Sequence, residues 1–156
     1  MKALIVVDYQ YDFANPKGSL YWKGGETLKD GILNKVLEYK KNKFLVVFTM
    51  DWHPNNHCSF SQWPAHCVQN TKGAELLIDK NLADFIVKKG VEKDWDSYSG
   101  FNKQIANVEP LEEWLKARNV DSVEICGLVS EYCVDATYKD AIKHGFKAKI
   151  LEELVK

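Results

Sequence analysis

At 156 residues the chain has the length of a single compact domain, enough to bury its own core without disulfide or metal staples. Lysine and arginine number 21 against 22 aspartates and glutamates, and the net charge of -1 gives no electrostatic case for nucleic acid or an anionic membrane as partner. A small molecule is the expected partner, with no nucleic acid and no membrane.

The first residues, "MKALIVVDYQ", place a lysine before an apolar run, but the run breaks at Asp8 without a small-residue cleavage site, so no signal peptide is expected. No apolar stretch reaches membrane-spanning length. The four cysteines (Cys58, Cys67, Cys126, Cys133) are too sparse for a secreted disulfide scaffold, which predicts reduced thiols and a cytoplasmic location.

"ALIVV" (Ala3 to Val7) predicts the first strand. Leu28, Ile32, Leu33, Val36 and Leu37 then fall on one face of a helix ending near Asn42. "FLVVFTM" (Phe44 to Met50) and "DFIVKK" (Asp84 to Lys89) predict the second and third strands. Pro110 starts a helix marked by Leu111, Trp114 and Leu115. "SVEICGLV" (Ser122 to Val129) predicts the fourth strand. Val134, Tyr138, Ala141 and Ile142 mark a helix stopped by Gly145, and "KAKILEEL" (Lys147 to Leu154) predicts the fifth strand. Short β-branched runs alternating with amphipathic helices predict a three-layer α/β/α fold with a mostly parallel, doubly wound sheet of Rossmann-like topology. Residues 1–156 read as one domain, without repeats or linkers. The chain stops at "LEELVK" with no helix to cover the last strand. The expectation is that the C-terminal end of the domain is missing or that a partner subunit covers this edge, and a homo-oligomer stays open.

In such sheets ligands bind at the carboxyl ends of the strands, where loops and helix N-termini converge. The polar residues at those ends are Asp8, then Asp51 and His53, then Lys89, then the Ser130 to Cys133 turn. Ser130 is the expected N-cap of a helix whose first turn holds Cys133, where unpaired N–H groups and the helix dipole favour thiolate and can hold an oxyanion. The alternative is that Cys133 is a small buried hydrophobe, as Cys126 is taken to be. Asp8 is the expected proton acceptor, its proton affinity raised at the edge of low dielectric, with Lys89 beside it. Lys88 and Lys89 point to opposite faces of a strand, so only one of them serves. Taken singly, Asp8 reads as a cap or turn residue and Lys89 as a solvated strand end.

The segment "TMDWHPNNHCSFSQWPAHCVQ" (Thr49 to Gln69) carries a second constellation. Asp51 and His53 are two apart, so an extended backbone puts them on one side, and His66 can return across the loop to complete a site for zinc, manganese or iron. His57 is either a fourth ligand or a polar loop residue. A structural site of His57, Cys58, His66 and Cys67 ranks lower because adjacent side chains diverge, and a Cys58–Cys67 disulfide is disfavoured in a reducing compartment. Phe13, Trp63, Tyr98 and Tyr132 lie in rim loops where a flat ring can be clamped, although ordinary core packing accounts for each alone.

With "VDYQYDF", "DWHPNNHCSF", "WPAHCVQNTKGAEL", "KKG" followed by "YSGF", and "GLVSEYCVDAT" in this order, the chain resembles the nicotinamidase branch of the isochorismatase-like cysteine hydrolases. The resemblance covers nearly the whole sequence. It implies an isochorismatase-like fold and a catalytic triad of Asp8, Lys89 and Cys133. Asp51, His53 and His66 would be ligands of one divalent metal, zinc before manganese or iron, which holds a pyridine nitrogen directly or through water. It further implies a non-proline cis peptide at Leu128–Val129, an oxyanion hole from the N–H groups of Val129 and Cys133, and Phe13 and Trp63 flanking the ring; Tyr98 and Tyr132, from their place in the rim loops, are also expected to bind substrate. The implied reaction is conversion of nicotinamide to nicotinate and ammonia through a cysteine thioester, a step of NAD salvage. The alternatives are a related amidase acting on a carbamoyl compound or a pyrazine amide, and a non-catalytic metal-binding or redox module. Vinyl-ether hydrolysis is disfavoured by the presence of Cys133.

Overall fold

The computed structural model of the protein describes residues 1–102 and 108–156. Five parallel strands, β1 (Lys2–Val7), β2 (Leu45–Asp51), β3 (Phe85–Lys89), β4 (Ser122–Gly127) and β5 (Lys147–Val155), form one sheet in the order β3-β2-β1-β4-β5. Among the described residues four α-helices accompany them: α1 (Tyr11–Ala14), α2 (Lys29–Lys41), α3 (Leu111–Ala117) and α4 (Asp135–Lys143). No helix among the described residues is long and apolar enough to cross a membrane.

Alternation along the strands divides the core in two. Leu4, Val6, Val46, Phe48 and Cys126 face Ile32, Val36 and Tyr39 of α2, while Ala3, Ile5, Val7, Val47 and Ile125 face Trp114 and Leu115 of α3 and Ala141 of α4. Burial on both faces explains why β1 and β2 read as nearly continuous apolar runs. The three layers and the doubly wound parallel sheet are those expected, and Cys126 is a core residue.

Two local expectations need correcting. The fourth strand ends at Gly127 rather than Val129. Gly127 has φ +112, and a Cβ there would lie 2.2 Å from the Val7 carbonyl oxygen, so only glycine lets the chain leave the sheet at this point. Ser130 does not cap a helix through its side chain. Its N–H donates instead to the Lys156 carbonyl (2.7 Å), and the chain enters α4 through a wide turn in which the Val134 N–H reaches the Val129 carbonyl (3.1 Å). Cys133 sits in that wide turn.

From β1 the chain crosses to β2 and β3 on one side of the sheet, and from β3 it returns to β4 and β5 on the other. The order therefore reverses between β1 and β4, which is where open α/β sheets place their ligand crevice. The connection from β2 to β3 holds only short 3-10 turns, and it folds over the carboxyl ends of the strands, pinned by bridges between His53 and Val68 and between Gln10 and Leu76.

Candidate active site

Asp8 ends β1 with a left-handed backbone, φ +48, which turns the chain off the sheet. Its carboxylate is gripped from both sides: Lys89 Nζ lies 2.7 Å from Oδ2, and the Thr49 hydroxyl donates to Oδ1 at 2.7 Å. The Cys133 side chain lines the same cavity as this carboxyl, near enough for each to shift the other's proton affinity. Lys89 also donates to the Tyr98 carbonyl (2.7 Å) and stands 3.5 Å from Asp51 Oδ1. Asp8 and Lys89 are 0% exposed and Cys133 6%. Lys88 projects the other way, its ammonium 4.3 Å from the Trp52 ring, as the alternation of a strand requires.

Burial dominates the electrostatics. It raises the proton affinity of Asp8, Lys89 opposes that rise, and Asp51 adds to it. Burial works against charge on Lys89, but Asp8, Cys133 and Asp51 overcome it and hold the ammonium well above its ordinary range. At Cys133 burial and then the Asp8 carboxylate push the thiol well above its ordinary value, more than Lys89 can offset. This overturns the expectation of a resting thiolate. The sulfur lies in a wide turn, largely buried and near a carboxylate, and both conditions favour the thiol over the thiolate.

The second constellation lies beside the first. His53 Nδ1 is 2.8 Å from the Gly90 carbonyl and His66 Nδ1 is 2.7 Å from the Pro64 carbonyl. A carbonyl only accepts, so Nδ1 carries the proton in both rings and each Nε2 presents a lone pair. Those Nε2 atoms stand 3.4 and 3.7 Å from Asp51 Oδ2, and the ligand atoms of the three residues lie within 4.8 Å of one another. His53 Nε2 and Asp51 Oδ1 are buried without a hydrogen bond among the described residues. Two imidazoles oriented by carbonyls, with a carboxylate between them, fit a divalent cation of the zinc class. Despite the burial that opposes charge on both, Lys89 holds Asp51 well below the usual carboxylate range, and Asp51 raises the basicity of His53. A cation and a proton thus compete for the same nitrogen. Gly90, with φ +59, must be glycine: a Cβ there would lie 2.3 Å from His53 Cε1.

His57 lies stacked on His53 with ring centroids 4.0 Å apart. Its Nε2 donates to the Trp95 carbonyl (2.9 Å), and its Nδ1 accepts from Ser59, leaving no free lone pair for an ion. Exposed Asp96 forms a second potential group with His53 and His57, but His57 is engaged in this way. The cysteine-containing alternative does not assemble: all four cysteines are unpaired, and neither potential metal group among the described residues includes one.

Asp8, Cys133, Asp51, His53 and His66 share one cavity of about 40 Å³ with Val129, whose peptide bond to Leu128 is cis, as expected. A larger cavity, about 610 Å³, lies along β3 against Phe85, Trp52 and Leu111 and holds none of these groups. All four expected aromatic residues reach the smaller cavity. Phe13 packs against His66 (5.5 Å between centroids), Tyr132 contacts Trp63 (5.3 Å) and Tyr98 (5.6 Å), and the Trp63 indole N–H donates to the Tyr98 hydroxyl (3.3 Å). Sequence reasoning missed Thr49, Gln10 and the Trp22 wall, which meets Tyr132 edge-on at 6.1 Å. Thr49 was within reach of inference, since it pairs with Val7, the residue before Asp8. Trp22 lies in a loop without periodicity and carried no signal.

The isochorismatase domain matches residues 2–156. The chain is 36% identical to the nicotinamidase/pyrazinamidase of Mycobacterium tuberculosis over 99% of its own length and 86% of that protein. It superposes on the crystal structure of the Pyrococcus horikoshii pyrazinamidase in complex with zinc with a TM-score of 0.91 at 42% identity, covering 99% of this chain and 86% of that one. On PnC1 from L. infantum in complex with nicotinate the TM-score is 0.90 at 39% identity, with 99% and 80% covered. The chain belongs to the isochorismatase family, in its nicotinamidase branch.

Proposed function

We propose that the protein is a metal-dependent amidohydrolase that converts nicotinamide to nicotinate and ammonia. The observation that carries this reading is that the Cys133 thiol and the Asp8 carboxylate, itself held by buried Lys89 at 2.7 Å, line the same cavity as Asp51, His53 and His66. Relatives named nicotinamidase and a neighbour solved with nicotinate supply the substrate.

Asp51, His53 and His66 would hold the ion, and zinc is the proposed metal, present in the pyrazinamidase neighbour. When bound, it supplies a Lewis-acidic anchor for the pyridine nitrogen, direct or through water. Phe13 and Trp63 flank the ring, and Tyr98 and Tyr132 complete the wall. Asp8 takes the Cys133 proton as the sulfur attacks the amide carbon. The N–H groups of Val129 and Cys133 receive the negative charge that develops on the amide oxygen. Asp8 then returns the proton to the nitrogen, the C–N bond breaks, and ammonia leaves an acyl thioester on Cys133. Asp8 next deprotonates a water, which attacks the thioester and releases nicotinate and the thiol. Lys89 keeps Asp8 oriented and compensates its charge throughout.

The test is ammonia release by the zinc-loaded protein from nicotinamide, with pyrazinamide and a carbamoyl compound in parallel. Turnover of nicotinamide that Cys133→Ala abolishes is expected. Turnover confined to another amide would replace the substrate, and no release by a protein holding one equivalent of metal would remove the reading.

A further inference from the structure

Gln10 lies two residues past Asp8, is fully buried, and does not line the cavity. Its side-chain amide is bonded to main chain far along the sequence: Oε1 accepts from the Asp51 N–H (2.9 Å), and Nε2 donates to the Asp51 carbonyl (2.7 Å) and the Ala74 carbonyl (3.0 Å). The sheet explains why a side chain is needed there. Parallel pairing of β1 with β2 runs to Val7 opposite Thr49, and the Asp8 N–H still reaches the Thr49 carbonyl (3.0 Å). Beyond that point the left-handed backbone of Asp8 takes the chain away. Asp51, the last residue of β2, keeps a backbone neighbour only on the β3 side, opposite Lys89. On the β1 side its N–H and C=O both face the Gln10 amide, which offers one acceptor and one donor as a peptide group does.

We infer that Gln10 is a positioning residue for the metal: its amide stands in for absent β1 backbone, clamps the Asp51 main chain, and so sets the Asp51 carboxylate between His53 and His66. The inference rests on the reading of those three residues as the ligands. Asp51 Oδ2 lies near both imidazole Nε2 atoms, so a small rotation of the Asp51 peptide changes both distances at once. The third bond, to Ala74, ties the same clamp to the turn that follows the His66 segment. Outer partners that orient metal ligands contribute about 10- to 100-fold in metal affinity.

The experiment measures Zn²⁺ affinity of the metal-stripped full chain by competition with a chromophoric chelator, independently of activity. Gln10→Met keeps the side chain's length and removes all three hydrogen bonds, and a dissociation constant about 10- to 100-fold weaker is expected. Gln10→Asn keeps the amide but falls one methylene short, and it is judged by the same criterion if Gln10→Met does not fold. Tyr39→Phe, which removes a half-buried hydrogen bond from the other half of the sheet, should bind zinc as the unmodified protein does. Zinc affinity within twofold of the unmodified protein in the Gln10 variants would overturn the inference, as would equal weakening by Tyr39→Phe, since general loss of stability would then account for it. If His53→Ala binds zinc as tightly as the unmodified protein, the ligand assignment itself fails, and that outcome is distinct from the first two.

Discussion

Two charged clusters flank the middle of the sheet, and they are built on opposite terms. In its amino-terminal half the Tyr39 hydroxyl donates to Glu124, Lys2 stands 3.9 Å from the same carboxylate, and the Lys2 ammonium lies 5.2 and 5.1 Å from the Tyr39 and Phe44 rings. The Lys2 and Glu124 side chains keep 40% and 22% of their exposure, so water shares the charge. At the carboxyl end Lys89, Asp8 and Asp51 keep 0%, 1% and 8%. Two carboxylates there share one ammonium, beside an imidazole nitrogen and a carboxylate oxygen that hold no hydrogen bond among the described residues. Burying groups in this state costs stability, because desolvation is not fully offset. The contrast lies in how polar groups are satisfied: the first cluster completes its own, and the second leaves a carboxylate, a thiol and lone pairs facing a cavity.

The largest expected effect breaks the second cluster alone. Cys133→Ala should lower nicotinamide turnover by about 10⁴-fold or more while equilibrium binding of nicotinamide persists, because a nucleophile has no substitute whereas the ring is held elsewhere. Ammonia release and a binding titration check this, and a variant with near-normal rate would take the thiol out of the reaction. Next, Lys89→Met should reduce unfolding free energy by about 3–5 kcal/mol in urea denaturation, since it strands two buried carboxylates. Lys2→Met should cost under about 1 kcal/mol. Equal costs would erase the distinction between the clusters.

A pH profile sharpens it further. Asp8 accepts a proton only as the anion, and its raised proton affinity returns the proton at a higher pH than an ordinary carboxylate would. The acid limb of kcat/KM should therefore lie above about 3.9, with activity falling as pH drops through it. Thr49→Val removes a hydrogen bond that favours the ionised carboxylate and should move that limb upward again, with Thr49→Ser restoring it. A limb that stays in place in Thr49→Val would mean that the hydroxyl does not support the anion. The smallest effect belongs to the other half of the sheet: Tyr39→Phe should cost about 1 kcal/mol and leave turnover within twofold. A larger change in turnover would show the two clusters to be coupled.

Much of the fold was legible locally. The apolar runs from Ala3 and Phe44 and the helix faces at Ile32 and Leu111 declare their partners by period alone, and each corresponds to an observed element. The rim residues followed from the strand ends. The end of the fourth strand was misplaced because it depends on how closely Gly127 approaches Val7, a contact between distant segments. Ser130 looked like a cap because serine often is one, yet its N–H is taken up by Lys156. Gln10 was passed over because a glutamine after a strand carries no periodic signal, and its role exists only against the backbone of Asp51.

By itself the sequence determined which side chains reach the rim, since strand alternation and the spacing of Asp51 and His53 are properties of neighbouring residues. Only the tertiary structure decided their chemical states: Cys133 rests as a thiol, His53 and His66 present Nε2, and His57 has both ring nitrogens engaged. Protonation, tautomer and lone-pair direction depend on burial and on hydrogen-bond partners, and at this site most of the partners come from chain segments many residues away.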